Sequence, residues 1–446
     1  MFYIRIAFVI LFLLNLKTMS QNKSKIFPYK VNEFTLSNGL KVISIPYDSK
    51  GIVAYYTVVR TGSRNEVEDG KSGFAHFFEH MMFRGTEKYS TKAYNEIVKK
   101  LGSDANAFTT DDWTCYHLVA SSSALETIMD IESDRFQNLK YSVEGFKTES
   151  GAILGEYNKS YSNPIMTMFE KMQEAAFTTH TYKHTTMGFL KDIQDMPNQY
   201  EYSLQFFDRY YRPENCIVVV VGDFDQSKLE LLANKYYGNW MRGNFNVEIP
   251  NEPQQTEPKF VDMKWNSKTL PMLMIGFHSP AFSDSEIDMP TMDLISQLYF
   301  SENSKLFQKL VIEEQLVEFV EGSGSDNRDP SMFIVLTRVK DKSNIEKVKE
   351  EISKTIEEIK TNPVSKEELE KVKSHLKYSF AMRMNTPDAI ANTLSHYLQL
   401  TGNYESLNRV YELYEKITAD DIIRIAQKYL TLNNSTTLTL TEEETK

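Results

Sequence analysis

A chain of 446 residues has room for two or more domains with separate cores, and its 41% hydrophobic and 12% aromatic content excludes a disordered tail or linker. The formal charge of -11 excludes a broad phosphate-binding face, because nucleic-acid surfaces are built from clustered Lys and Arg that release counterions. Two cysteines, Cys115 and Cys216, each lie inside an apolar run; they read as buried thiols and leave no disulfide framework to hold the fold.

The first twenty residues stand apart. Arg5 precedes the apolar run Ile6 to Leu14, and Thr18-Met19-Ser20 precedes Gln21. The run is shorter than the ~20 residues that span a bilayer, so residues 1–20 read as an export signal, which makes the mature chain periplasmic or secreted; an uncleaved N-terminal anchor is the alternative. Next, Lys41 to Pro46 and Val53 to Val59 are rich in β-branched and aromatic residues and predict paired strands. Apolar residues at helical spacing follow over Gly73 to Phe83 and Thr91 to Leu101, with Ser90 as an N-cap. Ala105 to Thr109 and Thr114 to Ala120 read as strands, Ser123 to Asn138 and Val143 to Phe177 as helices, and Cys216 to Val221 as a buried strand closed by Gly222-Asp223.

Between Trp240 and Pro258 the chain turns to Asn, Pro, Glu and Gln, which cannot fill a core. Beyond it the order recurs: strands at Met272 to Phe277 and Met332 to Arg338, helices at Met289 to Tyr299, Asn344 to Lys360, Ser365 to Met384 and Thr386 to Thr401. Phe206 to Val221 and Ile422 to Leu440 echo one another as helix, turn and strand, a sign of duplication. The expected architecture is α+β: a domain over 28–245, a linker over 246–260 and a homologous domain over 261–446, each a largely antiparallel sheet covered by helices.

The chemistry is carried by His76-Phe-Phe-Glu79-His80. On a helix, residues i and i+4 share a face one turn apart, so both imidazoles can hold one zinc ion. Glu79 can then serve as general base toward a water without being a ligand. Catalytic zinc takes three protein ligands, and the helix after Val143 offers Glu149 and Glu156, seven residues apart on one face. Glu156 is expected as the third ligand and Glu149 as an acid behind it that orients an imidazole N–H or the ligand carboxylate. His180-Thr-Tyr-Lys-His184 repeats the spacing without an acid and reads as a loop. Phe74, Phe77, Phe78, Met81 and Met82 read as core, with Phe77 a candidate for lining a chamber.

These residues, with His80-Met-Met-Phe-Arg-Gly-Thr86, Leu101 to Thr109, Tyr211-Arg-Pro-Glu-Asn215, Val221-Gly222-Asp223 and Tyr237-Gly-Asn-Trp240, resemble the pitrilysin, insulysin and mitochondrial processing peptidase family over nearly the whole secreted chain. The resemblance implies a zinc endopeptidase whose two related domains form half of a clam shell around unfolded peptide. It implies that Asn106, Ala107 and Phe108 bind substrate backbone along a sheet edge. Family members that close their own site carry an Arg and a Tyr in the second half, where Val311 and Glu318 stand here. The resemblance therefore implies a homologous partner subunit that supplies Arg and Tyr, with a homodimer as the alternative. A non-catalytic peptide-binding or assembly subunit of the same fold is the reading of a different class.

Overall fold

The computed structural model describes residues 25–443, so the export signal expected over 1–20 lies outside the described residues. Two sheets form. The first contains β1 (Asn32–Thr35), β2 (Lys41–Pro46), β3 (Ile52–Val59), β4 (Asp104–Thr109), β5 (Thr114–Ser121) and β6 (Cys216–Gly222), in the order β1-β2-β6-β3-β5-β4. The second contains β7 (Lys259–Trp265), β8 (Met272–His278), β9 (Val317–Ser323), β10 (Met332–Val339) and β11 (Ser435–Glu442), in the order β7-β11-β8-β10-β9. With β1 set aside, the two orders match strand for strand. Each has one parallel pair, β2 with β6 and β7 with β11, among antiparallel neighbours.

The first half carries helices α1 (Phe74–Met81), α2 (Thr91–Lys100), α3 (Leu125–Asn138), α4 (Val143–Ser160), α5 (Pro164–Ala176), α6 (Leu190–Asp195), α7 (Tyr200–Tyr210) and α8 (Gln226–Tyr237). The second carries α9 (Asp288–Tyr299), α10 (Lys305–Phe307, continued as a π-helix over Gln308–Glu313), α11 (Ile345–Thr361), α12 (Lys366–Arg383), α13 (Pro387–Thr401), α14 (Ser406–Lys416) and α15 (Ala419–Tyr429).

Strand alternation decides which core each residue joins. Val53, Tyr55 and Val59 of β3 pack with α1, α3 and α4, while Ala54, Tyr56 and Val58 point to the opposite face. That opposite face is covered by Ile390, Leu394 and Leu398 of α13 and Leu407 of α14, helices of the second half. The exchange is reciprocal: Met168 and Met172 of α5, from the first half, pack on Met272, Met274 and Leu438 of the second sheet.

The helix ends are closed in the same crossed fashion. Lys259 Nζ, at the start of β7, donates to Ala175 O and Ala176 O at the end of α5 (2.8 and 3.1 Å). Lys41 Nζ, at the start of β2, donates to Gly402 O just past α13 (2.7 Å), and Arg60 Nε donates to Gln399 O (3.0 Å). The last carbonyls of a helix lack intrahelical donors and carry the negative end of its dipole, so a cation from the other half is favourable there.

Several expectations need correction. The helix expected over Val143 to Phe177 is two helices, because Asn163 accepts from Ile165 N as a cap and Pro164 starts α5. Phe77 is fully buried against Phe146 and lines no chamber. The segment from His180 to His184 is the loop expected, with a single 3-10 turn, Thr181–Lys183, and both rings buried. β1, β7, β9, α6, α8, α10 and α14 go beyond the elements expected; β7 and β9 are edge strands whose exposed positions, Phe260 apart, are polar, so their apolar signal is thin. Residues 240–258 have no regular structure but are tied down, since Glu252 accepts the backbone N–H of Thr178, Thr179 and His180 (2.8, 2.9 and 2.9 Å).

Candidate metal centre

Gly73 stands just before α1 as its N-cap, with a left-handed φ of 91°, and its Cβ, if present, would lie 2.4 Å from Ile193 Cδ1. Glycine has no side chain to cap the helix, and Glu66 does so from seven residues upstream. Its carboxylate accepts Gly73 N–H and Ala75 N–H at 2.7 and 2.6 Å. Phe74, Phe77, Phe78 and Met81 bury one side of α1 in the first core, which turns His76, Glu79 and His80 toward α4. α4 is capped by Ser142, which accepts from Gly145 N, and presents Glu149 and Glu156 on the facing side.

Three donors converge there. Glu156 Oε2 lies 3.4 Å from His80 Nε2 and 3.8 Å from His76 Nε2. His76, His80 and Glu156 are the one group of three potential metal-binding side chains that meets among the described residues, with ligand atoms all within 4.8 Å of one another. Glu149 Oε1 sits 2.9 Å from His80 Nδ1, which leaves Nε2 as the lone-pair nitrogen pointing at Glu156. Glu149 also pairs with Arg84. Glu79 does not join the donor set; its Oε2 accepts the Thr109 hydroxyl at 2.6 Å.

The donor set fits zinc. Donors held about 2.0–2.1 Å from a tetrahedral ion stand roughly 3.3 Å apart, and the 3.4 and 3.8 Å from Glu156 to the two rings come within about half an ångström of that. Two imidazoles and a carboxylate leave a fourth position open, and Glu156 is 42% exposed, so solvent reaches it. A metal-binding imidazole must be neutral, and burial, helped by the charge of His80, pushes the pKa of His76 down to about 4. His76 Nδ1 is buried with no hydrogen-bond partner among the described residues.

The charges around these rings are also set by their surroundings. Glu149 is held below the usual carboxylate range: burial opposes ionisation, but the bond from His80 and the Arg84 charge outweigh it. His80 is raised, first by its bond to Glu149, so in the absence of a cation protons compete for the same nitrogen. Burial raises Glu79, while the Thr109 hydroxyl pulls it back down.

The residues expected to bind substrate, Asn106, Ala107 and Phe108, lie on β4, which pairs with β5 and has a free outer edge. Asn106 Oδ1 accepts Ala107 N–H at 2.9 Å, covering one main-chain donor of that strand. β4 ends at Thr109, so the free edge runs directly to the Glu79 carboxylate. Three residues that sequence reasoning passed over therefore belong to the site: Glu66, Arg84 and Thr109. The last two sat inside the motif stretches His80 to Thr86 and Leu101 to Thr109, but nothing in their spacing announced a partner.

In the second half, Val311 lies on the π-helix after α10 and Glu318 on the edge strand β9. Glu318 is not a bare acid; it pairs with Arg338 at 3.1 Å.

Comparison with known proteins gives a consistent picture. Residues 41–189 match the family model described as Insulinase (Peptidase family M16), and residues 199–376 match the one described as Peptidase M16 inactive domain. A zinc protease, PqqE, of Helicobacter pylori is 27% identical over 418 residues, covering 92% of this chain and 93% of that protein. The mitochondrial-processing peptidase subunit beta of Lentinula edodes is 23% identical over 411 residues, covering 89% of this chain and 86% of that one. The crystal structure of a protease from Helicobacter pylori aligns with a TM-score of 0.86 at 27% identity, over 92% of this chain and 99% of that chain. An M16-like peptidase from Alicyclobacillus acidocaldarius shares the fold, with a TM-score of 0.81 at 18% identity over 94% of this chain and 99% of that one. With both halves matched in order along one chain, this protein belongs to the insulinase peptidase family M16 as a two-domain member.

Proposed function

We propose that this chain is a zinc-dependent endopeptidase for extended peptides, in which His76, His80 and Glu156 hold one Zn2+ and Glu79 is the general base. The observation that carries the reading is the convergence of those three donors beside a carboxylate tethered to the end of a free sheet edge. When bound, zinc would lower the pKa of a water and polarise the scissile carbonyl. Glu79 would accept the proton of that water and hand it to the leaving amine. Its raised affinity for protons, a product of burial, suits a group that must both take and give one. Glu149 keeps the His80 ring in the tautomer a metal needs. Substrate would add as a strand to β4 along Asn106, Ala107 and Phe108, displacing the Asn106 side chain from Ala107 N–H.

The second half offers no Arg and Tyr at positions 311 and 318, so a homologous partner subunit would supply the oxyanion donors, with a homodimer of low activity as the alternative. The relative named subunit beta supports a paired arrangement. The same two positions favour a second reading, a peptide-binding subunit without chemistry. Zinc stoichiometry and peptide cleavage, measured with and without a co-purifying homologue, separate the readings. The enzyme predicts one zinc per chain, loss of zinc in His80→Ala, and retained zinc without turnover in Glu79→Gln. A wild-type chain without zinc would leave the binding subunit, and full activity of the lone monomer would remove the partner. We also place the mature chain outside the cytoplasm on the strength of residues 1–20; an intact-mass measurement of the mature N-terminus tests both export and cleavage.

A further inference from the structure

Glu149 is a carboxylate with only 2% of its side chain exposed, and a charge so placed needs a partner on each oxygen. Oε1 has His80 Nδ1; Oε2 has the Arg84 guanidinium. Arg84 is aimed by a fixed stretch of backbone. Its N–H donates to Met81 O (2.9 Å) and its carbonyl accepts the Thr91 hydroxyl (2.8 Å). The next residue, Gly85, turns at φ 93°, where a Cβ would come 2.7 Å from Thr91 N, so no other residue makes this turn without displacing α2.

The charges point the same way. Glu79, Glu149 and Glu156 gather three carboxylates around one position; a divalent ion brings two positive charges, and Arg84 brings the third. Resting on the zinc reading above, we propose that Arg84 is a positioning residue of the metal centre: through Glu149 it fixes the His80 ring and balances the charge, so zinc affinity depends on a side chain that does not touch the ion. Arginine suits the task because its guanidinium stays charged at any working pH, and half of its side chain stays in water, which limits the cost of desolvation.

The test is zinc affinity of the full chain at fixed pH, by competition with a chromophoric chelator, for wild type, Arg84→Met, Arg84→Lys and Lys88→Met, which removes a neighbouring surface cation whose partner is Asp130 rather than Glu149. The unfolding midpoint of each metal-free protein is measured alongside. Loss of a group behind a metal ligand typically weakens binding about 10- to 100-fold. Arg84→Met should fall in that range and by more than the drop in its metal-free midpoint accounts for, Arg84→Lys should recover part of the loss, and Lys88→Met should stay at wild-type values in both measurements. Unchanged zinc affinity in Arg84→Met overturns the proposal, as does a loss that Lys88→Met shares or that the metal-free midpoint of Arg84→Met fully mirrors. If Arg84→Met does not fold, Arg84→Lys at full wild-type affinity with an Arg84→Gln loss still supports a charge role, and equal wild-type affinity in both overturns it. A wild type that takes up no zinc removes the metal reading itself, an outcome distinct from zinc-binding wild type with unaltered variants.

Discussion

The two halves share one plan and differ in what a single pair of helices carries. α4 and α12 are both 18 residues long, both are capped by a serine, and both lead into a helix that starts with proline and crosses to the other half. Counted from their first residues, Glu149 and Glu156 of α4 correspond to Val372 and Ser379 of α12. Val372 packs toward the second core, where Glu149 instead sits buried and ion-paired. α9 stands where α1 does but contains no histidine. The strand alternation, the parallel pair and the crossed helices are present in both halves; the cluster of His76, His80 and Glu156 is present in one. Fold and site are thus written in different positions, the first along every strand and the second on a few residues of two helices.

The strongest way to break the comparison is to cut it. Residues 25–250 and 251–443 expressed apart should each fail to unfold cooperatively, because each loses the helix that covers its sheet; a half that folds alone would show the exchange to be decorative. Next, Glu156→Gln should reduce zinc content to background in a metal assay, whereas Ser379→Ala, its counterpart, should leave it untouched. A third test concerns protons. Burial lowers His184 from 6.5 to about 4, so the unfolded chain binds the proton more tightly. Stability is then full above pH 6.5 and falls as pH drops toward 4, by up to about 3 kcal/mol from this residue. Denaturant titrations across that window should show a shallower pH slope in His184→Gln.

Smaller effects sharpen the picture. Thr109→Val removes the hydroxyl that holds Glu79 and should lower kcat about ten- to a hundredfold with KM and zinc content unchanged, since hydrogen bonds to charged groups contribute about 1.5–3 kcal/mol. Thr109→Ser should restore the rate. Lys259→Met and Lys41→Met each unplug a crossed helix end and should cost about 1 kcal/mol apiece, adding in the double variant because the sites are independent.

Much of this was legible in the sequence. The strands showed because β3 and β6 are dense in β-branched and aromatic residues, and the donor set showed because His76 and His80 are one turn apart and Glu149 and Glu156 two. The break at Asn163-Pro164 was equally legible as a cap followed by proline, but the apolar spacing runs on through it. What could not be read is what depends on distant chain meeting distant chain. Thr109 gives no sign that it will meet Glu79, nor Glu66 that it will cap a helix seven residues away, nor Lys259 that it will close one from the other half. Charged residues in solvated-looking stretches acquire partners only once the tertiary fold brings them together.

The crossing of α5 and α13 also sets a timetable. During synthesis, every residue of the donor set has left the ribosome once residue 156 emerges, yet the far face of the first sheet stays bare until α13 has followed, some 230 residues later. The nascent chain must carry that greasy surface in the meantime, at the hazard of sticking to its neighbours, a burden expected of long-range topologies. The corner where His76, His80 and Glu156 meet is therefore spelled out early, while the far face of its sheet is covered late.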